Sequence, residues 1–431
     1  MVGLDLIFML RLNMTMTYKI GLFLTIIFSL FSTVVFAELQ LPKELGLVEE
    51  SFQAQDGKVV YYIQDAHDSL EAQENIAQMI EHLVEKEGVQ IVYEEGYEGE
   101  VPTDEFFGFI KDPEVKQKTS FTLLDQLRIG AAEYAHINRK KDFKLIGADN
   151  IKLHLENIRW YQEAYKTKDQ TEKDLQELEK EIKILANRYF PNELKKWMKW
   201  KEKLDSGSLD LLNYLNRINK LGVPQNSYPN IQILLNAQKA ETALELPEIN
   251  AKNLFEEINQ MEDALASSYL SSDRNKQIFS YFKGLKLLRK LNEILLSSAE
   301  FEVTKELLQN ISTEQLADFI AKNSKKSIVL SKRWEANIKK AIYFYETAHA
   351  RDDLIEEQLD DFVRSKKAEK AILVYGGFHK NAIREIFKDK NISYTIIAPK
   401  ITSISKKHQT TYRNLMSQGT SDEIPLLVSE A

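Results

Sequence analysis

The stretch Tyr61–Ala77, YYIQDAHDSLEAQENIA, contains the transition from which the fold can be read. Its front end belongs to a β-branched and aromatic run, Val59-Val60-Tyr61-Tyr62-Ile63, which is strand chemistry. The run breaks at Gln64-Asp65-Ala66-His67, and a helical pattern begins. Asp68 with Glu71 three residues on has the spacing of a capping box. The spacing therefore predicts a helix over Asp68–Lys86, with a stripe of Ile76, Met79, Ile80, Leu83 and Val84 and a stop at Gly88. His67 then sits in a strand-to-helix turn, at the carboxyl end of a strand. Ligands collect at that edge of open α/β sheets, so His67 is the first candidate.

Working outward, Val89–Tyr93 is a second strand, followed by Glu94-Glu95-Gly96. The strand–helix–strand unit suits a right-handed parallel crossover. Phe121–Arg139 reads as helix and Phe143–Ile146 as a third strand, ending at Gly147-Ala148-Asp149. From residue 155 to 330 strand signals vanish. Leu175, Leu178, Ile182, Leu185 and Tyr189 recur at spacings of three and four, and Pro191, Gly207, the Pro224–Pro229 loop and Pro247 punctuate the segment. This predicts a large all-α insertion, with Trp160, Trp197 and Trp200 as packing anchors. The α/β pattern then resumes with a helix over Lys332–Ser365, a strand Lys370–Tyr375, a helix to Lys388, and a strand Ser393–Ala398 closed by Pro399. Residues 401–431 read as a loosely packed tail in which Tyr412 and Leu415 dock.

The opening feature has a second copy. Tyr62-Ile63-Gln64-Asp65-Ala66-His67 leads from strand to helix, and so does Val374-Tyr375-Gly376-Gly377-Phe378-His379. Gly376 and Gly377 permit positive φ and close backbone approach. Two histidines in matching contexts suggest a duplicated half-domain whose strand ends face one cleft. The expected fold is α/β: a parallel-sheet core from two related strand–helix–strand halves, 38–154 and 331–400, around the all-α insertion.

Composition narrows the function classes. The chain has 431 residues and no cysteine, which removes thiol catalysis, cysteine-ligated zinc, disulfides and lipoprotein anchoring. A net charge of −8 argues against a nucleic-acid partner. Lys19 precedes the apolar run Ile20–Ala37, the pattern of a secretory signal peptide. The run is also long enough to span a bilayer if retained. Residues 1–37 are thus read as a signal peptide or N-terminal membrane anchor. The protein is expected in the periplasm or outside the cell, touching membrane only through that segment.

Other residues compete for a place in the cleft. Asp65 could orient His67, share a metal with it, or close an Asx turn. Strand alternation lets only one of Glu94 and Glu95 face the site. Arg351 lies on the apolar stripe Phe344, Ala348, Arg351, Ile355, Leu359, Phe362, where an unpaired guanidinium would be costly. Its anion is either a protein carboxylate (Asp352, Glu346 or one at a strand end) or a substrate group. Asp149 ends the third strand but also suits a helix cap, and Glu133 is a weaker candidate. His82, His136, His154, His349 and His408 read as surface or packing residues. No HExxH, P-loop, GxSxG or EF-hand pattern occurs.

A strand-end histidine near the start, an acidic residue after the next strand, an arginine on a late helix and a second GGxH together resemble the TraB/TIKI/ChaN/erythromycin-esterase superfamily. The resemblance covers about residues 40–155 and 335–400. It implies one pocket lined by His67, Glu95, Arg351 and His379, although QDAH stands where the family has a glycine-led GxxH. The family includes metal-dependent peptidases, an ester hydrolase and haem-binding proteins. The resemblance therefore locates a site better than it names a reaction, and the leading expectation is a hydrolase acting on a peptide or ester bond of a small-molecule or peptide substrate. In one version His67, His379, Glu95 and Asp65 hold a divalent metal (Zn, Mn or Co). In the other, the same groups act as base and acid on water, with Arg351 on the oxyanion or a substrate carboxylate. The alternative is a non-catalytic haem- or ligand-binding envelope protein, with Tyr61, Tyr62, Tyr93 and Tyr97 near the pocket edge.

Overall fold

Seven strands form one sheet in the order β1-β7-β2-β6-β3-β5-β4. They are β1 (Gly46–Phe52), β2 (Val59–Asp65), β3 (Ile91–Glu94), β4 (Glu98–Glu100), β5 (Lys144–Ala148), β6 (Lys370–Gly376) and β7 (Ser393–Pro399). The computed structural model describes residues 39–418 except 56, 223–226, 240–250, 311–312, 366–367 and 404. The leader expected in residues 1–37 lies outside them. No helix among the described residues is long and apolar enough to cross a membrane.

β7, β2, β6, β3 and β5 run parallel, while β1 and β4 are antiparallel edge strands. β1 and β4 carry no clear strand signal because both are largely exposed and rich in glutamate. Charge on an edge strand discourages pairing with another chain. The central strands, buried on both faces, are the continuous apolar runs expected of a parallel sheet.

The two strand–helix–strand units are interleaved. The first helix, α1 (Leu70–His82), connects β2 to β3, but β6 lies between those strands. A late helix connects β6 to β7 across β2 in the same way. The two units thus step outward in opposite directions from the adjacent central pair β2 and β6. Asp65 pairs with Gly376 at the end of that pair, so the two strand-to-helix turns lie side by side.

α1 starts one residue later than the capping-box spacing predicts. Its N-cap is Ser69, whose hydroxyl accepts from the Ala72 amide. Glu71 instead accepts from the amides of Thr402 and Ser403. After β4 come α2 (Thr103–Phe107), α3 (Pro113–Asp125) and α4 (Ala131–Ile137). The single helix expected over 121–139 is broken between α3 and α4, where Leu127 adopts φ +57°.

The helical region opens with α5 (Ile151–Tyr189), 39 residues long and capped by Asn150. It continues through α6 (Asn192–Asp205), α7 (Leu211–Asn219), α8 (Pro229–Lys239), α9 (Ala251–Tyr269), α10 (Asp273–Asn292), α11 (Ser298–Asn310) and α12 (Thr313–Ser324). α13 (Trp334–Ala350) returns to the sheet. Leu175, Leu178, Ile182 and Leu185 are buried in its core, with Trp197 beside them and Trp200 packed against them. Trp160 instead packs on Tyr343.

The helix expected over 332–365 is two helices, α13 and α14 (Asp352–Arg364), meeting at Arg351. Its apolar stripe therefore serves two cores. Phe344 packs against the helical region, whereas Ile355, Leu359 and Phe362 pack on the sheet with Tyr62, Leu373 and Tyr394. α15 (Lys380–Asp389) adds Ile383 and Phe387 to the sheet-side core. The expected tail contains a helix, α16 (Lys406–Gln418). Its signal is weak because Tyr412, Leu415 and Met416 make a narrow stripe in an otherwise polar segment.

Candidate functional site

Two carboxylate–imidazole pairs stand at the ends of the central strands. At the end of β2, Asp65 Oδ2 lies 3.0 Å from His67 Nδ1. Its other oxygen accepts from Gln73 Nε2 at 2.5 Å, and the Gln73 carbonyl accepts from the Ala131 amide at 2.8 Å. Asp65 is thus fixed by α1, which is itself tied to α4. Burial opposes charge on His67, but Asp65, reinforced by Glu95 and Glu133, more than reverses this and raises the imidazole to about 9. Its ring stacks on Tyr412 of α16, with centroids 6.2 Å apart.

Beyond β6, His379 Nδ1 lies 2.5 Å from Asp352 Oδ1. The other Asp352 oxygen lies 3.2 Å from His349 Nδ1. Burial favours the neutral acid, but hydrogen bonds from His349 and His379 outweigh it and hold the Asp352 carboxyl below its ordinary value. A carboxylate can only accept, so Nδ1 is the protonated nitrogen of His379, and the neutral ring keeps Nε2 as its acceptor. The ring is buried edge-on against Tyr375 and Phe378.

Arg351 lies behind both turns. It is 3% exposed and commits its guanidinium to protein carboxylates. Nε donates to Asp149 Oδ1 at 2.9 Å and Nη2 to Glu95 Oε1 at 2.7 Å, with a second bond from Nη2 to Asp149. Nη1 reaches Asn157 at 3.4 Å. The expected role as a clamp on substrate or oxyanion does not fit this geometry, because the fork is taken up inside the protein. Asp149 also accepts from the Gly96 amide and pairs with His154. Glu95, despite burial, is held at about 2 by Arg351, His379 and His67. Its Oε2 accepts from the Gly376 amide at 2.9 Å.

This contact explains Gly376. Its φ is −57°, so a left-handed backbone is not the reason for glycine. A Cβ there would lie 3.2 Å from Glu95 Oε2, and close approach is what the position requires.

The expectation that only one of Glu94 and Glu95 faces the site is also corrected, since both line the same cavity. Glu94 is the last residue of β3 and Glu95 lies beyond it, where the chain turns through Gly96 at φ +96°. Strand alternation no longer applies past the strand end. Glu94 is 5% exposed, and its Oε1 has no hydrogen-bond partner. Burial, then repulsion from Glu133 and Asp65, pushes its carboxyl well above the ordinary range. Burial pushes Glu133 of α4 upward too, although its carboxylate accepts from the Gly130 amide.

Asp65, His67, Glu95, Arg351 and His379 all line one cavity of about 550 Å³. The sheet edge forms its polar end. The helical region and α16 form an apolar wall that includes Tyr161, Phe344, Tyr345 and Met416. Glu94, Asp149, Glu133, His154, His349 and Asp352 join the arrangement on weaker sequence signals. Two pairs among these had a local sign: Asp149 and His154 sit five apart at a strand end, and His349 and Asp352 sit three apart across the α13–α14 junction.

The donor set does not fit the expected metal centre. Both Glu95 oxygens and both Asp65 oxygens are engaged by protein donors. Among the described residues, no three His, Asp or Glu side chains converge as a metal-ligating group. The tyrosines considered for haem are also mostly elsewhere. Tyr61 bonds Glu87 and Tyr62 bonds the Gly376 carbonyl, Tyr93 packs in the sheet core, and Tyr97 lines the cavity. Comparison with family models, curated proteins and solved structures gives no match.

Proposed function

We propose that the protein is an exported hydrolase that cleaves a peptide or ester bond in a small-molecule or peptide substrate by general acid–base chemistry. The observation that carries this reading is the pair of dyads, Asp65–His67 and Asp352–His379, whose histidines follow the ends of the adjacent parallel strands β2 and β6 and both line one cavity. Asp352 fixes the tautomer of His379, whose Nε2 takes a proton from water as the water attacks the carbonyl. His67 stays protonated at neutral pH because of Asp65. It faces the developing oxyanion and then protonates the leaving group. Glu95 and Arg351 are positioning residues, since Glu95 holds the Gly376 amide and Arg351 holds Glu95. The resemblance to the TraB/TIKI/ChaN/erythromycin-esterase superfamily supports the same reaction class, and export rests on the leader in residues 1–37.

The test is a panel of p-nitrophenyl esters and peptidyl p-nitroanilides. We expect turnover that falls by about 10²–10⁴-fold in His379→Ala and Asp352→Asn, the range for a displaced general base, with far-UV circular dichroism showing the fold retained. Turnover equal in wild type and both variants would overturn the assignment. Turnover that depends on added Zn²⁺, Mn²⁺ or Co²⁺ would restore the metal version. The ligand-binding alternative is favoured by the apolar wall. It predicts no turnover on the panel and a His67-dependent Soret shift on titration with haem.

A further inference from the structure

We infer that the cavity is built for an amine-bearing amphiphile, with Glu94 and Glu133 taking the ammonium group at the sheet edge and the aromatic wall taking an apolar body. This deepens the reading of the cavity as a substrate site and rests on it.

The first support is Glu94. An oxygen buried at a cavity wall without a hydrogen-bond partner is costly, and a donor from a ligand would relieve it. Among the described residues, the charges that act on Glu94 are those of Glu133 and Asp65, both negative. The nearby cations are already matched: Arg351 is shared by Glu95 and Asp149, and His67 is paired with Asp65. Glu94 and Glu133 are therefore surplus acid in a site where a cation has been left room. Burial keeps both protonated more readily than exposed carboxyls. A bound ammonium would reverse that preference and expel protons. An anionic ligand would meet the same carboxyls at that end, since the other cations of the cavity wall lie on its helical side, Lys168 paired with Glu293 and Arg413 on α16.

The second support is the opposite wall. Tyr161 stacks on Tyr165 and meets Phe344 edge-on, and Tyr345, Phe378 and Met416 continue the surface. Such a wall gains from burying an aliphatic or aromatic body. The volume of about 550 Å³ holds a molecule of small-ligand size. A peptide beginning with an apolar residue and a free amino group has this form.

The experiment compares 4-phenylbutylamine, 4-phenylbutanol and 4-phenylbutyrate, titrated into the full chain by calorimetry at pH 8 and pH 5. Buffers of different ionisation enthalpy report proton release. The amine should bind at least about tenfold more tightly than the alcohol at pH 8, the yield of one charge-assisted hydrogen bond. It should release protons on binding, and most of its advantage should vanish at pH 5. Glu94→Gln, which keeps the shape of the protonated side chain, should remove the preference while leaving alcohol binding in place, and Glu133→Gln should weaken it. Equal affinity for amine and alcohol, a preference that survives both substitutions, or no binding of any of the three at millimolar concentration would overturn the inference. No turnover is needed to read the result. A chain that selects amines but hydrolyses nothing refutes only the hydrolase. A chain that hydrolyses without selecting amines refutes only the amine subsite.

Discussion

Arg351 joins three pieces of chain that are remote in sequence, and its removal should be felt in all of them. Its partners Asp149 and Glu95 lie 202 and 256 residues away. Alanine at this position would leave both carboxylates buried and unmatched, at a cost of about 3–5 kcal/mol, measurable as a lower urea midpoint. Lysine would restore the charge but not the fork, and should recover only part of that loss. The need for an anion was legible from the apolar stripe around Arg351. A strand-end carboxylate was among the expected partners, but which strand ends supply it was not legible, because the pattern around Arg351 itself offers only Asp352 and Glu346. Glu94 was obscure for a related reason. Alternation correctly separates residues within a strand but says nothing about the residue that follows its end.

At the scale of elements, two helix boundaries make separate claims. The Ser69 hydroxyl caps α1, so Ser69→Ala should cost about 1 kcal/mol and Asp68→Ala little. Chemical denaturation of the two variants distinguishes the caps. α16 is the second case. Tyr412 stacks on His67, while Lys407 and His408 pair with Asp125, so the helix closes one side of the cavity from outside the sheet. Ending the chain before Lys406 should lower affinity for 4-phenylbutylamine by about tenfold or more, because water then reaches the ammonium site. The sheet should survive, and far-UV circular dichroism checks that. The five parallel strands and the helical region were legible from period and composition, whereas the two edge strands were not. α16 was not, since three apolar residues in a polar segment do not announce a helix.

For the whole molecule, ionisation sets opposing slopes. Glu95, held at about 2 against an ordinary 4.5, and Asp149, held below its ordinary value, stabilise the fold fully above the carboxylate range. That stability is lost as pH falls from about 4.5 towards 2. Glu94 and Glu133 are raised, so they weaken the fold as pH climbs beyond their ordinary range. His67 adds stability below 6.5 that disappears as pH rises through about 9. Thermal melts between about pH 3 and 9 should peak on the acid side of neutrality, and Glu94→Gln should flatten the descent above the peak. The α/β character was legible at this scale, but the strand order was not. A right-handed crossover allows a skipped position without saying what fills it.

The skipped positions matter for how the chain is made. The Tyr62 hydroxyl meets the Gly376 carbonyl across 314 residues, and β2 has β6 and β7 as its two neighbours. While a ribosome is still producing the helical region, β2 has both edges bare and nothing to pair with. Closing contacts this distant is slow, and exposed strand edges in the interval invite aggregation. The first half cannot be stored as a finished module. The nascent chain must be kept open until residues 370–399 arrive, and a product that stops short of them has no central sheet to assemble.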